Sequence, residues 1–232
     1  MHIFSYPTRP CMHTSMLVLL EHDACTPHYL VFLLVRVYTA YDVAARCRID
    51  AYGVPGDVRK FDLCCASVDK VVAKYGRIDF LINNAAGNFM VSAENLTPNG
   101  LATVLGIDLQ GCFHMAKAVL PHMKVNGPTD GAAIINISAT LQDQATPFQL
   151  HASAAKAGID VLTNTLAVEW GEYGIRCVGL APGGIAGMLI GQEPLPVTTV
   201  ILRPFLSTLS TRHAHTARIR ACVCCLRLIC PG

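Results

Sequence analysis

Short apolar runs alternate with stretches of helical periodicity along most of this 232-residue chain. Extended runs are predicted to form strands at 29–37, 48–54, 78–83, 132–138 and 175–181. Helices are predicted between them, at 38–46 and at about 62–75, 97–125 and 149–172. Strands that alternate with helices indicate β–α–β crossovers, because each helix returns the chain to start a strand in the same direction. The sequence therefore predicts an α/β fold with a parallel sheet.

The alternation does not extend to either end of the chain. Residues 1–28 show no sustained period and contain Pro7, Pro10 and Pro27, and no period is visible beyond Gly191. A chain of this length can bury one sizeable core. We therefore expect a single partial domain over 29–191, preceded by an irregular segment at 1–28 and followed by an irregular tail at 192–232.

Composition and charge narrow the class of function. Hydrophobic residues make up 52% of the chain and charged residues 15%, which is unlike the composition of disordered chains. The formal net charge of +2 gives no long-range attraction to nucleic acid. No apolar run approaches the roughly 20 residues of a membrane-spanning helix, and no secretory leader is recognised. The composition favours a globular protein that acts on a small molecule.

Eleven cysteines are present, an odd number that is scattered except for a group near the C-terminus. They occupy positions 11, 25, 47, 64, 65, 112, 177, 222, 224, 225 and 230. The scatter favours reduced thiols over a disulfide framework. The terminal Cys-x-Cys-Cys has no second pair of ligands at zinc spacing, so no metal site is expected.

Residues that follow the strands are where a ligand is expected, because parallel sheets bind ligands outside the carboxyl ends of their strands. The segments concerned are Asn84–Asn88, Ser138–Leu141 and Pro182–Ile185. In the first of them, the small side chains of Ala85, Ala86 and Gly87 would let a flat ligand approach the backbone. A purely structural turn is the alternative interpretation of this segment.

A set of short motifs resembles the short-chain dehydrogenase/reductase family in order and spacing over about residues 48–187. The motifs are Asp57, NNAAGN at 83–88, SAAK at 153–156, AVEWG at 167–171, IR at 175–176 and APGGI at 181–185. The resemblance implies a Rossmann-like, doubly wound parallel sheet that binds a nicotinamide dinucleotide. The family's first strand, with its glycine-rich turn, and its last strand are not recognisable here, so the expected sheet is incomplete. Residues 29–37 are interpreted as the family's second strand.

The family's usual catalytic residues are replaced at several positions, although Lys156 is retained. The family tyrosine lies four residues before that lysine, on the same helix face, and the residue there is Ala152. Ala139 stands at the family's serine position, and Asp108 stands at its asparagine position. Reduction of a ketone requires a phenol or an equivalent donor at the carbonyl oxygen. These replacements therefore argue against alcohol and ketone chemistry.

Within the family, the combination of replacements resembles the peroxisomal type of 2,4-dienoyl-CoA reductase. It comprises AAGNF at 85–89, Asp108, Ala152 and HASAAKAG at 151–158. The mitochondrial type has a tyrosine fifteen residues before the lysine, where this chain has Leu141. The resemblance implies NADPH-dependent reduction of 2,4-dienoyl-CoA thioesters to 3-enoyl-CoA in unsaturated fatty acid β-oxidation. An inactive remnant, or another family oxidoreductase such as an enoyl-CoA reductase, remains an alternative.

The resemblance also implies roles for single residues. Lys156 is expected to bind the nicotinamide ribose and to place positive charge near the developing enolate, and Asp108 is expected to pass a proton through water. Other expected cofactor contacts are Asp57, Asn84, Ala85, Ala86, Gly87, Pro182, Gly183 and Ile185. Candidate substrate contacts are Phe89, Ser138 and Phe148, although core packing would explain the two aromatic residues equally well. His151 is interpreted as a hydrogen-bonded or solvent-facing residue and not as a base.

The partners and location are implied in the same way. The substrate would be an acyl-CoA, and neither nucleic acid nor a membrane span is expected. In the family, the helices corresponding to about 101–125 and 149–172 commonly pack against other subunits, so a homo-oligomer is expected. The resemblance implies a peroxisomal location, although the terminal Ile-Cys-Pro-Gly does not match a Ser-Lys-Leu-type signal. A cytoplasmic location is the alternative.

Overall fold

The computed structural model of the chain describes residues 15–21, 29–35, 50–126, 131–141, 146–183 and 200–203. Its strands are β1 Ser15–Glu21, β2 Tyr29–Val35, β3 Asp50–Pro55, β4 Phe80–Asn83, β5 Ala132–Ile137, β6 Ile175–Pro182 and β7 Val200–Arg203. Its helices are α1 Phe61–Tyr75, α2 Pro98–Leu105, α3 Gly111–Val125 and α4 Leu150–Trp170. The helix predicted at 38–46 lies outside the described residues.

The strands form one sheet in the order β3-β1-β2-β4-β5-β6-β7. Strands β2, β4, β5 and β6 are parallel neighbours, and Leu81, Ile134 and Cys177 lie side by side across the last three of them. Each connection between these three strands contains a helix. The predicted α/β class with a parallel sheet is confirmed, and antiparallel strands are added at both sides of its parallel centre.

Strands lie in both terminal segments, so the expectation of irregular structure was wrong at β1 and at β7. Strand β1 pairs antiparallel with β2 over its full length, from Ser15 opposite Val35 to Glu21 opposite Tyr29. Strand β7 pairs antiparallel with β6. Both runs are short and lack polar–apolar alternation, so a sequence period cannot reveal them, and their order comes from neighbouring strands. The extent of the domain stays a prediction.

Strand β2 occupies a different place in the sheet from the one predicted. It lies directly beside β4 and parallel to it, which in the order 3-2-1-4-5-6 of this fold is the place of the first strand. The interpretation of residues 29–37 as the second strand was therefore wrong. Strand β1 fills the second-strand place but runs in the opposite direction.

The core is formed by aliphatic side chains of the parallel strands and the helices beside them. Leu81, Ile82 and Ile134 are at most 1% exposed. Helix α1 packs against α3, while α4 packs against β5 and β6. Four cysteines in the described part of the chain, Cys64, Cys65, Cys112 and Cys177, are free. Burial raises the pKa of the Cys64, Cys112 and Cys177 thiols to about 12, so these three are held as unreactive thiols.

None of the helices in the described ranges is long and apolar enough to cross a membrane. Those ranges also contain no group of three or more His, Cys, Asp or Glu residues that could hold a metal ion.

Gly111 begins α3 at a close contact with Val58. A Cβ atom at position 111 would lie 2.7 Å from Val58 Cγ2 and 3.0 Å from Val58 Cβ. Val58 is fully buried and β-branched, so it cannot rotate away. We expect overpacking of an added methyl group against Val58 to cost about 1–3 kcal/mol. Alanine gains roughly 1 kcal/mol over glycine as a helix former. Gly111→Ala should therefore lower the free energy of unfolding. Urea denaturation measures the difference.

Gly171→Ala is the matched control for this substitution. Gly171 has φ −58, and a Cβ atom there would meet nothing within 4 Å. Alanine should therefore raise stability by about 0.4–1 kcal/mol through the unfolded state. If Gly111→Ala were as stable as Gly171→Ala, the contact between α3 and Val58 would be looser than described.

Candidate active site

Three parallel strands end at one edge of the sheet. The residues that follow them include several that were predicted from sequence to bind the cofactor or the substrate. Strand β4 ends at Asn83 and continues into the segment 84–91, Ser138 follows β5, and Gly183 follows β6. Two further side chains reach this edge from helical segments. Asp108 comes from the junction of α2 and α3, and Lys156 comes from α4.

The junction of α2 and α3 is a π-helical segment, Gly106–Gln110, with Asp108 at its centre. The N–H of Gly111 donates to the carbonyl oxygen of Gly106, five residues earlier, which is the π-helical hydrogen bond. Such segments within α-helices are often found at functional sites. This one carries a carboxylate that is only 1% exposed.

Both oxygens of the Asp108 carboxylate have partners. Oδ1 accepts a hydrogen bond of 2.7 Å from the N–H of Gly87, and Oδ2 lies 3.4 Å from Lys156 Nζ. Burial raises the pKa of Asp108 above its usual range, and the Lys156 charge and the Gly87 N–H oppose that rise. A carboxyl group with a raised pKa is suited to hold and release a proton at the site.

Lys156 is held at the end of β5 as well as beside Asp108. Its Nζ donates to the carbonyl oxygen of Ile137 at 3.1 Å, and the residue is 8% exposed. Gly158 makes this placement possible, because a Cβ atom there would lie 2.8 Å from Leu109 Cδ2. The glycine therefore lets α4 approach the π-helical segment closely enough for Lys156 to meet Asp108.

Ala152 lies one helical turn before Lys156, where the family's phenol would stand, and it is 2% exposed. The hydroxyl of Ser138 donates weakly to the carbonyl oxygens of Ala139, at 3.5 Å, and Lys156, at 3.4 Å. The groups brought together at this point are thus a carboxylate and an ammonium, with a methyl group in place of the phenol.

A series of buried hydrogen bonds connects the strands and the helix that carry the site. Asn83 Nδ2 donates to Asn136 Oδ1 at 2.8 Å, and Asn136 Nδ2 donates to Thr163 Oγ1 at 2.9 Å. Thr163 in turn donates to the carbonyl oxygen of Ile159. The chain ties β4, β5 and α4 together. Sequence reasoning missed Thr163, although its position two helical turns after Lys156 was a usable signal.

Two aromatic side chains are exposed beside this site. Phe89 is 39% exposed and Phe148 is 55% exposed, so neither is a core residue. Their two segments are joined by a hydrogen bond from the N–H of Val91 to the carbonyl oxygen of Phe148, at 3.0 Å. A second bond of 2.7 Å links Asn88 Nδ2 to Gln149 Oε1. The role of Phe89 and Phe148 as substrate contacts stays a prediction.

His151 is fully buried, and neither of its ring nitrogens has a partner among the described residues. Its ring stacks on Phe89, with 4.3 Å between the ring centroids and 28° between the planes. The interpretation of His151 as a hydrogen-bonded or solvent-facing residue was therefore wrong. Position 151 lies in the first turn of α4, and its side chain packs against Phe89 of the segment that follows β4.

The remaining predicted cofactor contacts lie at the same edge or beside β3. Asn84, Ala85, Pro182 and Gly183 are half-buried, and Ala86 is exposed. Asp57 follows β3 and pairs with Arg59, whose Nη2 lies 2.6 Å from Oδ2. Hydrogen bonding from Arg59 holds the pKa of Asp57 below its usual range. Ile185 lies outside the described residues. The cofactor role of these residues stays a prediction.

Known proteins are similar to the central part of this chain. The model of the short chain dehydrogenase family matches residues 31–193. A peroxisomal 2,4-dienoyl-CoA reductase of Arabidopsis thaliana, described as (3E)-enoyl-CoA-producing, is 48% identical over 145 residues, which cover 60% of this chain and 49% of the relative. The corresponding protein of Saccharomyces cerevisiae is 47% identical over 129 residues, which cover 56% of this chain and 43% of the relative.

Solved structures resemble the same part of the chain. A short chain dehydrogenase from Bacillus anthracis is 45% identical, with a TM-score of 0.53, over 56% of this chain and 53% of that one. A gluconate 5-dehydrogenase from Burkholderia cenocepacia, solved with NADP and tartrate, is 32% identical with a TM-score of 0.53, over 56% and 49% of the two chains. The chain thus spans about half the length of the curated relatives it matches. With the family match extending over residues 31–193, the chain belongs to the short chain dehydrogenase family.

Proposed function

We propose that the chain reduces 2,4-dienoyl-CoA thioesters to 3-enoyl-CoA with NADPH, a step in the β-oxidation of unsaturated fatty acids. The observation that carries the proposal is the buried pair of Asp108 and Lys156, 3.4 Å apart, next to Ala152. This set has a proton carrier and a positive charge but no phenol. Relatives that are 44–48% identical and bear the name of this reductase support the same substrate class.

The chemistry needs what these side chains provide. NADPH would supply a hydride to the far end of the conjugated diene, so that negative charge develops on the thioester oxygen. The Lys156 ammonium would stabilise that charge, because a fixed positive group in a buried site acts more strongly than in water. Asp108, whose pKa is raised by burial, would hold a proton and pass it through water to the α carbon. No proton to an alcohol oxygen is needed, which agrees with Ala152.

Residues are present for the nicotinamide end of the cofactor, because Lys156 would hold its ribose, but the glycine-rich turn for its pyrophosphate end is not. At the carboxyl edge of β4, Gly87 packs closely on the π-helical segment, because a Cβ atom there would lie 3.2 Å from Ile107 Cδ1. In this fold a glycine-rich turn after the first strand binds the pyrophosphate through its backbone amides. The segment 36–49, which follows β2, contains no glycine. NADPH is therefore expected to bind more weakly than to a chain with that turn.

The missing glycines favour a second candidate, a family member that folds but does not turn over substrate. Its test and that of the reductase are the same experiment. Purified protein is mixed with NADPH and 2,4-hexadienoyl-CoA, the loss of NADPH absorbance is followed, and the position of the remaining double bond is determined by NMR. Hexanoyl-CoA, which has no double bond to reduce, is the control.

If the protein is a dienoyl-CoA reductase, NADPH should be consumed only when the diene is present, and the product should be the 3-enoyl-CoA. Turnover of a secondary alcohol or of a 2-enoyl-CoA instead would identify another oxidoreductase of the family. Absence of NADPH binding at roughly millimolar concentration, far above the micromolar range typical of enzyme substrates, would identify the inactive form.

Assembly of the protein into a homo-oligomer is part of the proposal. Large apolar side chains are exposed on two helices, namely Phe113 on α3 and Val161 and Val168 on α4, at 41%, 66% and 64%. Apolar surface of this kind is often covered by a partner. Light scattering should give at least twice the monomer mass, and a monomer at all concentrations would refute this part.

A peroxisomal location is proposed from the names of the relatives. Imaging of the chain with an N-terminal fluorescent tag in cells with labelled peroxisomes tests it. Diffuse fluorescence would favour the cytoplasmic alternative.

A further inference from the structure

His151 combines complete burial with an unused capacity for hydrogen bonding. The residue is 0% exposed, and both Nδ1 and Nε2 lack a partner in the part of the chain that the structure describes. In either neutral tautomer an imidazole has one N–H donor and one acceptor. Buried polar groups in proteins nearly always have a partner. The ring N–H of His151 is therefore a donor to which the described residues supply no acceptor.

The neighbours of His151 place it at the reacting end of the site. It lies in the first turn of α4, next to Ala152 and five residues before Lys156. Asp108, whose pKa is raised by burial, is close enough to His151 for the two side chains to interact electrostatically. Stacking on Phe89, at 4.3 Å between centroids, fixes the ring plane.

The protein groups closest to His151 do not meet its hydrogen-bonding needs. The Asp108 oxygens face the Gly87 N–H and Lys156 Nζ, and the structure contains no hydrogen bond between Asp108 and His151. Lys156 is itself a donor, and its Nζ faces Asp108 and the carbonyl oxygen of Ile137. A molecule bound at this edge of the sheet is one source of an acceptor for the His151 N–H.

We propose that a ring N–H of His151 donates a hydrogen bond to the thioester carbonyl oxygen of the acyl-CoA, which makes His151 a further catalytic residue. The inference rests on the proposed function. The thioester oxygen is an acceptor, and it gains negative charge during reduction, so a donor fixed beside it stabilises the transition state more than the substrate. A neutral imidazole can serve as such a donor in a buried site without becoming charged. No bond to His151 forms or breaks in this step.

Two substitutions distinguish the effect of the His151 N–H donor from the effect of its aromatic ring. His151→Phe keeps an aromatic ring against Phe89 but has no N–H, whereas His151→Gln keeps an N–H donor. We expect His151→Phe to bind NADPH normally and to be at least as stable to heat, because it removes two buried, unpaired nitrogens. Its turnover of 2,4-hexadienoyl-CoA should fall by about 10²–10³, the effect of losing one donor to an oxyanion. His151→Gln should recover part of that loss.

A spectroscopic measurement reads the same bond without turnover. Hexanoyl-CoA labelled with ¹³C at the carbonyl is bound to the protein, and its C=O stretch is compared with that in water by isotope-edited infrared spectroscopy. Wild type should shift the stretch to lower frequency, and His151→Phe should lose most of that shift. His122→Gln is the matched control, since His122 lies 14 residues after Asp108, roughly 20 Å along the helix, and should leave the shift unchanged.

The outcomes distinguish this inference from the proposed function. Wild-type turnover with an equally active His151→Phe variant and an unchanged carbonyl stretch would overturn the role of His151 alone. A carbonyl shift that depends on His151, in a protein that does not reduce the diene, would support His151 and overturn the reductase. A protein that neither binds hexanoyl-CoA nor consumes NADPH would overturn both.

Discussion

Asp108→Asn is expected to retain affinity for NADPH while turnover falls by about 10²–10⁴, the range associated with general acid–base catalysis. The amide keeps the size of the carboxylate and can still accept the Gly87 N–H. It cannot release a proton at the site. Measuring NADPH affinity by titration and turnover by steady-state kinetics therefore separates the loss of chemistry from the loss of binding.

The pH dependence adds a second signature for Asp108. Because burial raises the pKa of this carboxyl, a relay that needs its protonated form should be most active below that raised pKa. Activity should then fall as pH rises through it, and Asp108→Asn should lack this descending limb.

Asp79→Asn is the control for removal of a buried carboxylate. Asp79 is 3% exposed, pairs with Arg77 and precedes β4, at the end of the strand opposite to the site. This substitution should lower stability and leave turnover per folded molecule near wild type. Full activity in Asp108→Asn would refute the proton relay, and the carboxylate would then serve only to order the π-helical segment.

Lys156→Ala is expected to weaken NADPH binding, lower turnover and destabilise the fold. One ammonium faces the site, Asp108 Oδ2 and the carbonyl oxygen of Ile137, so its removal affects all three. Removing one partner of a buried ion pair costs up to about 3–5 kcal/mol at a pH where the remaining carboxylate stays charged. Urea denaturation at neutral pH measures this loss.

The loss of stability in Lys156→Ala should increase as the pH rises. Without Lys156, the pKa of Asp108 in the folded state rises further, since burial already raises it. The penalty should therefore be absent below the unfolded-state pKa of about 3.9 and should grow as pH rises through the folded-state value. Lys156→Ala combined with Asp108→Asn should regain much of the stability but not the activity.

Lys117→Ala removes a lysine from the exposed side of α3 and serves as the control for charge. Surface lysines contribute little to stability, so this variant should match wild type in every assay. If Lys156→Ala also matched wild type in NADPH affinity and in stability, the ion pair with Asp108 would have no part in either property.

The centre of the fold is readable from sequence because its strands and helices are long or strongly apolar. The strand predicted at 78–83 is found at Phe80–Asn83, and the helix predicted at 149–172 is found at Leu150–Trp170. The meeting of Asp108 with Lys156 was predicted only through the family resemblance. The structure adds the reason for it, which is the close approach of α4 at Gly158.

Other features could not be read from sequence because they depend on contacts between distant segments. The direction of β1 is set by its pairing with β2 and β3, and no period in SMLVLLE indicates it. The burial of His151 requires Phe89, 62 positions earlier, to lie against it. The residue types around Gly111 do not predict its π-helical hydrogen bond. Each of these follows from tertiary packing and not from local preference.

The π-helical segment Gly106–Gln110 makes the length of this region as important as its composition. A π-helical turn contains about one residue more than an α-helical turn, so the segment shifts the angular phase of α3 relative to α2 by about 100°. Met115 and Val119 fix one phase by facing the core, and Asp108 fixes the other by facing Gly87. Deleting a single residue here would close the π-helical turn into a regular α-helix, which would keep Met115 and Val119 on the core face but change the angular position of Asp108. A one-residue deletion in this segment should therefore leave the fold in place and remove Asp108 from its hydrogen bond with the Gly87 N–H.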